Sequence, residues 1–482
     1  MINEILQAIL AGLPWALALI IPIIAIAALV VGRNSANWWV AAYFTLLFYF
    51  PNASWGILET KAGQNFYTRG AGMFYISAIN IMLYGATLQA LFSRSMRLHV
   101  PVTHNLGIPA LMFGILLAGN LLVGLVTPEI RWFEIIGYSG LLNIANLMAA
   151  FYVLTSALRK KDDLDRFINL LLFCAVTRGV WGAVRFALLG GDPANFYANF
   201  QRIDVNLTFF DINDSLVATL ALFVAGWRLT SGQCSTFIQT AAHWFIVLLE
   251  LFVIIFSYRR TAWGGLLLAG LLFAAYQQRS IKWKLLLSYI VAGIPLILYK
   301  MMQRSGESTR GASFLEKIVP DITAGGTLNF TTGRFSELYA AWLSFKESPI
   351  WGLGAWGRYD GFRFPELAWH NGDFTWMHSG LLHVALKTGL IGVVAVFSCG
   401  WLYKDYVARS STGLNTRNLG LLLLGPAGIL FILPTLLLGT PVIEFRTMQL
   451  LSLCLALPYL AIACTGQISP TKQRPRWQES HA

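Results

Sequence analysis

The residues best suited to chemistry in this sequence are a set of arginines and one histidine placed near the ends of apolar stretches. Arg178 and Arg185 stand seven apart in the run from about 167 to 189, so both fall on one helix face. Arg202 and Asp204 follow, then Asp211 and Asp214 at the mouth of the next run, and Arg259 and Arg260 share a YRRT turn. Arg334 opens a helix-like stretch, His378 precedes a further apolar run, and Glu444 with Arg446 begins the last one. Guanidinium groups fork onto phosphate oxygens, two N–H bonds at a time. An imidazole exchanges a proton near neutral pH and can act as a general base. Together these types suit an anionic phosphate group held beside an acceptor that must lose a proton. Taken singly, each has a plainer use. Arg202, Arg259 and Arg260 could snorkel at a membrane boundary. Arg185 could pair with Asp211 or Glu250, and His378 could be a hydrogen-bonded interface histidine.

The elements that must position these side chains are membrane spans. Of 482 residues, 56% are hydrophobic and only 12% charged, against roughly 25% charge in an ordinary soluble domain. Mean hydropathy is +0.60, and long apolar runs recur without a polar face, so lipid is their solvent. Candidate spans lie near 12–32, 36–50, 71–93, 106–126, 135–157, 167–189, 210–229, 238–257, 262–277, 284–302, 379–402, 417–436 and 445–464. The expected fold is an all-α polytopic membrane protein of about 12–13 transmembrane helices, each needing about 20 apolar residues. The N-terminus lacks a basic n-region, so its apolar run reads as a retained first helix rather than a cleaved signal.

The net charge of +12 would suggest nucleic acid in a soluble protein, but the basic residues here gather in alternate short loops. Arg159–Lys161, Arg279–Lys284, Lys404 and Arg409 mark one side, together with the tail residues Lys472, Arg474 and Arg476. That side is expected to be cytoplasmic, which excludes nucleic acid as a partner and puts the arginine set on the opposite face. The organisation follows: spans within 1–302, one large outer loop over 303–378, C-terminal spans within 379–464, and a cytoplasmic tail over 465–482. The outer loop is roughly 75 residues long, and loops of that length are functional or disordered. This one is not disordered by composition. From Arg334 to Glu347 it reads RFSELYAAWLSFKE, with Phe335, Leu338, Tyr339, Trp342 and Phe345 on one stripe and Pro349 after it. An amphipathic helix forming an ordered lid is expected.

Several patterns carry no weight. Gly352–Gly357 matches GxGxxG but precedes no helical pattern, so it is a glycine-rich turn rather than a dinucleotide loop. The five cysteines show no CxxC spacing, and no HExxH or comparable ligand spacing occurs, so no metal and no cofactor are expected.

Other motifs resemble a known family. Thr332-Gly333-Arg334, Ala341-Trp342 and Ser348-Pro349-Ile350-Trp351-Gly352-Leu353-Gly354 look like an arginine-led helix running into P-x-x-G-x-G. His378-Ser379-Gly380-Leu381-Leu382 and Lys387-Thr388-Gly389-Leu390-Ile391-Gly392 are similar to the His-(Asn/Ser)-x-x-L and G-L-I-G signature of bacterial O-antigen ligases and Wzy-type polysaccharide polymerases. Ser257-Tyr258-Arg259-Arg260-Thr261-Ala262 resembles a further turn of that superfamily. Ser379 and Asp214 depart from it, since asparagine is commoner at both.

The resemblance implies a GT-C-like, metal-independent, inverting glycosyltransferase of the bacterial inner membrane, working at the periplasmic face. Its donor would be a glycan on undecaprenyl diphosphate. The acceptor would be a second lipid-linked repeat unit in a polymerase, the reading put first, or lipid A-core in a ligase. Because the leaving group is already a diphosphate, its growing charge needs cations rather than an acid. The expected catalytic residues are His378 as base with Arg334, Arg260 and Arg259. Arg178, Arg185, Arg202, Glu444, Arg446, Trp351 and Trp356 are expected to bind diphosphate or glycan. Tyr359, Trp369 and Trp376 could stack on sugars or form an interfacial belt. Membrane lipids and a chain-length regulator are the other expected partners. A transporter or flippase for the same lipid is the competing class; it would show repeats and mid-membrane charges, which the sequence lacks.

Overall fold

The computed structural model describes residues 36–49, 78–92, 111–122, 141–195, 205–299, 323–328, 334–359, 377–439 and 444–464, with short breaks inside several of these ranges. The helices are α1 (Ala36–Tyr49), α2 (Ala78–Phe92), α3 (Leu141–Ala157), α4 (Lys161–Leu188), α5 (Ile212–Thr230), α6 (Phe237–Ile255), α7 (Arg260–Ala275) and α8 (Arg279–Ser288). They continue with α9 (Arg334–Phe345), α10 (Gly380–Ser411), α11 (Thr416–Leu438) and α12 (Phe445–Cys464). A two-residue antiparallel pair, β1 (Thr323–Ala324) with β2 (Thr327–Leu328), is a minor exception to an otherwise helical chain.

The protein is an all-α polytopic membrane protein. Six described helices, α4, α5, α6, α10, α11 and α12, are long and apolar enough to cross a membrane, and α1, α3 and α7 contain shorter apolar segments. The expected first span near 12–32 lies outside the described residues, as do parts of those near 106–126 and 284–302. Helix starts follow ordinary capping chemistry. Asp211 accepts from the Asn213 amide at 2.9 Å ahead of α5, Ser379 from Leu382 at 3.2 Å ahead of α10, and Asn415 from Asn418 at 2.9 Å ahead of α11.

α11 and α12 pack together at the centre, with α3 against α12, α5 and α7 against α11, and α6 against α5. Close approach relies on small residues, the usual device where lipid removes the hydrophobic incentive. A Cβ on Gly265 of α7 would collide with the Phe431 carbonyl of α11, and one on Gly425 of α11 with the Cys454 carbonyl of α12.

The amphipathic helix expected over 334–347 forms over Arg334–Phe345, but its apolar stripe does not pack as a unit. Glu337, Ala340, Ala341, Ser344 and Phe345 are buried, while Tyr339 and Trp342 are 47% and 44% exposed. The small residues let α9 lie closely on α10, and the larger aromatics turn outward, as on a helix resting at an interface.

Candidate functional site

The arginines of the spans meet carboxylates. Arg178 on α4 donates to Asp214 on α5 through Nε (3.0 Å) and Nη2 (3.1 Å), a bidentate fork. Arg446, wholly buried in the first turn of α12, donates to the same Asp214 at 2.8 Å and to Asp211 at 3.0 Å. Its remaining bonds go to the Leu47 and Phe48 carbonyls, the orphan acceptors at the end of α1, at 2.6 and 2.8 Å. Arg185, two turns beyond Arg178, pairs with Asp192 at 2.8 Å and donates to the Thr208 carbonyl. Four helices and the 205–210 segment are thereby tied through three arginines and three aspartates whose charges balance.

The 205–210 segment links this seam to the YRRT turn. The Phe209 ring lies under both Arg178 (4.5 Å to its centroid) and Arg185 (4.8 Å), and the adjacent Phe210 ring lies 4.3 Å under Arg259. The turn is fixed locally: Tyr258 takes a left-handed φ of 52°, Ser257 Oγ donates to the Ile254 carbonyl, and Trp263 Nε1 donates to Ile255 at 3.1 Å. Arg259 makes no ion pair among the described residues, and its buried Nε–H has no hydrogen-bond partner.

The second group of contacts lies under the lid helix. Glu337 of α9 accepts from the His378 backbone amide at 2.8 Å and meets the ring at Nδ1, also at 2.8 Å. Both the position and the rotation of the imidazole are therefore set by one carboxylate. Tyr359, fully buried, hydrogen-bonds the same carboxylate. Burial, then the Glu337 charge, hold its phenol above the usual range.

Beneath this pair the glycine-rich turn and α10 interlock. α10 breaks at Gly389 (φ 64°), and the turn supplies what the break releases. Leu353 N donates to Leu386 O at 2.8 Å, Gly354 N to Lys387 O at 3.1 Å, and Leu390 N to Pro349 O at 2.9 Å. Both Gly352 (φ 75°) and Gly389 lie in the left-handed region. A Cβ on the first would sit 2.5 Å from Gly389 N, and one on the second would overlap the Ile350 carbonyl. The buried Lys387 ammonium adds a bond to the Gly357 carbonyl.

Residues 245–397 match the O-antigen ligase family model. This stretch is similar to the O-antigen ligase family. The match bears out the resemblance drawn from the motifs, and no curated protein matches the chain. The matched stretch spans the YRRT turn, the α9 helix, the interlocked glycines and His378, and the match supports an O-antigen ligase or polymerase-type function. Its two glycine motifs serve here as a backbone joint that holds His378 at the mouth of α10.

The structure distributes the expected site residues unevenly. Arg178, Arg185 and Arg446 are expected to grip an anionic ligand; in the structure each is paired with one or two carboxylates. The partner of Arg185 is Asp192, not Asp211 or Glu250, because the chain turns back after α4 and lays Asp192 on the last turn. Glu444 accepts from Thr447 Oγ1 at 2.8 Å at the start of α12. Arg260 is half-buried as the first residue of α7, Arg334 is the first of α9, and Trp351 is 63% exposed in the turn beyond α9. Arg202, Trp356, Trp369 and Trp376 lie outside the described residues. Sequence reasoning did not single out Glu337. Its signal was a carboxylate on the otherwise apolar side of an amphipathic helix.

Proposed function

We propose that this protein transfers a glycan from undecaprenyl diphosphate to an acceptor hydroxyl at the periplasmic face of the bacterial inner membrane, with inversion and without a metal. The Glu337-oriented His378, at the mouth of a span inside the stretch that matches the O-antigen ligase family, is the observation that carries this reading. The acceptor oxygen attacks the anomeric carbon while His378 Nε2 takes its proton, and the bond from that carbon to the diphosphate oxygen breaks. The departing charge is offset by Arg259, whose guanidinium is stacked on Phe210 and makes no ion pair among the described residues, with Arg260 and Arg334. Trp351 is exposed and suited to a sugar face.

The acceptor put first is a second lipid-linked repeat unit, which makes the reaction a polymerisation. The description of the matched family favours a second reading, ligation to lipid A-core. Purified protein given undecaprenyl-diphosphate glycan and each acceptor separates them. A ladder of longer lipid-linked glycans means polymerisation, and one glycan on lipid A-core means ligation. Undiminished transfer by both His378→Ala and Arg259→Ala would refute the site. Movement of labelled lipid between leaflets with no new glycosidic bond would make the protein a transporter instead.

A further inference from the structure

Beyond its break at Gly389, α10 runs as an unbroken helix on which Leu390, Val394, Phe397 and Trp401 form one stripe, each more than half exposed. On a span, such a stripe faces lipid. It ends where the Lys404 ammonium lies 4.8 Å from the Trp401 ring centroid and the exposed Asp405–Arg409 pair follows, which marks one boundary of the membrane. Leu390 is 14 residues back from Lys404, about 21 Å along the helix. A hydrocarbon core is about 30 Å thick, so Leu390 sits about 9 Å inside the other boundary.

The glycine-rich turn meets α10 at this depth. Pro349 O accepts from Leu390 N at 2.9 Å, and Ile350 O from Ile391 N at 3.4 Å. Pro349 is exposed and Ile350 is 55% exposed, so the outer side of the turn continues the stripe of Leu390 and Val394. The backbone of the turn is equipped for such surroundings. The amides of Gly352, Leu353 and Gly354 donate to the Ser348, Leu386 and Lys387 carbonyls, and Pro349 has no N–H to satisfy. The Gly357 carbonyl accepts from the Lys387 ammonium. Irregular backbone is tolerated at membrane depth where the protein itself supplies its partners.

We propose that the Pro349–Ile350 side of this turn is a lipid-contact surface. The chain between α9 and α10 dips back into the bilayer there and lies against phospholipid acyl chains, beside Leu390 and Val394. The surface owes nothing to glycan chemistry, so it stands or falls separately from the proposed transfer.

The test places p-benzoylphenylalanine, whose photoexcited ketone inserts into nearby C–H bonds, at Ile350 of the full-length protein in phosphatidylethanolamine–phosphatidylglycerol vesicles. After irradiation, lipid adducts are counted by mass spectrometry and the bonded lipid carbon is located by fragmentation. Val394 on the stripe and Arg409 beyond Lys404 receive the same side chain as references. The expected yield at Ile350 is within about twofold of that at Val394 and at least about tenfold above that at Arg409, with the new bonds on acyl-chain carbons, because hydrocarbon surrounds the first two positions and water the third. Pro349 carries the same test if the Ile350 variant folds poorly. A yield no higher than at Arg409, or adducts confined to headgroup and glycerol carbons, would overturn the assignment.

Discussion

Asp214→Asn tests whether the arginine seam is a tether. Asp214 is 2% exposed in its side chain and accepts three bonds, two from Arg178 and one from Arg446. Bonds to charged groups are worth about 1.5–3 kcal/mol each, so complete loss of all three would cost about 4.5–9 kcal/mol. The asparagine oxygen can still accept, and Arg446 keeps Asp211 and the Leu47 and Phe48 carbonyls. Arg178 keeps the Phe209 ring. The main loss is thus one buried cation without its counter-ion, for which about 3–5 kcal/mol is the expected cost. Unfolding in mixed micelles with increasing dodecyl sulfate, followed by circular dichroism, should show that loss. The Arg178→Gln/Asp214→Asn double variant should recover about 1–3 kcal/mol of it, since the two sites are in direct contact. A variant destabilised by less than about 1 kcal/mol that nonetheless lost transfer would refute the reasoning. The guanidinium groups would then serve a substrate and not the fold.

Three further outcomes are expected. His378→Ala should lower the turnover of glycan transfer by about 10²–10⁴-fold, with Glu337→Gln between that and the wild type, measured under saturating donor. Gly389→Ala places a side chain in a left-handed position against the Ile350 carbonyl; it should cost about 1–3 kcal/mol and expose the 348–354 turn to limited proteolysis. Tyr359 keeps its proton in the folded state beyond the pH at which a free phenol loses it, so its contribution is complete below about pH 10 and declines as pH rises above that. Tyr359→Phe should therefore flatten the alkaline part of the stability profile measured by thermal unfolding.

The spans and the lid helix were readable because both rest on periodicity and apolar length, which are local properties. Most of the site was not local. Arg446 meets Asp211 across 235 positions and Asp214 across 232, and nothing in a single sequence says which charges will share a pocket. The sequence placed Arg178 and Arg185 on one face, and both do look onto Phe209, but their aspartates come from a returning loop and a neighbouring helix. Glu337 was hidden for a different reason. A helix read by its large apolar residues draws attention to Tyr339 and Trp342, whereas the face that matters is built from alanines and one carboxylate.

The joint between the glycine turn and α10 also limits how this part of the chain can move. Lifting the turn would strip the partners of the Leu386 carbonyl and the Leu390 amide and leave the Lys387 carbonyl only Asn120, inside a span where water cannot replace them at small cost. The glycine-rich turn is thus anchored like a hinge pin driven through both plates. Any rearrangement of the 348–354 turn must therefore carry α10 with it or break those bonds.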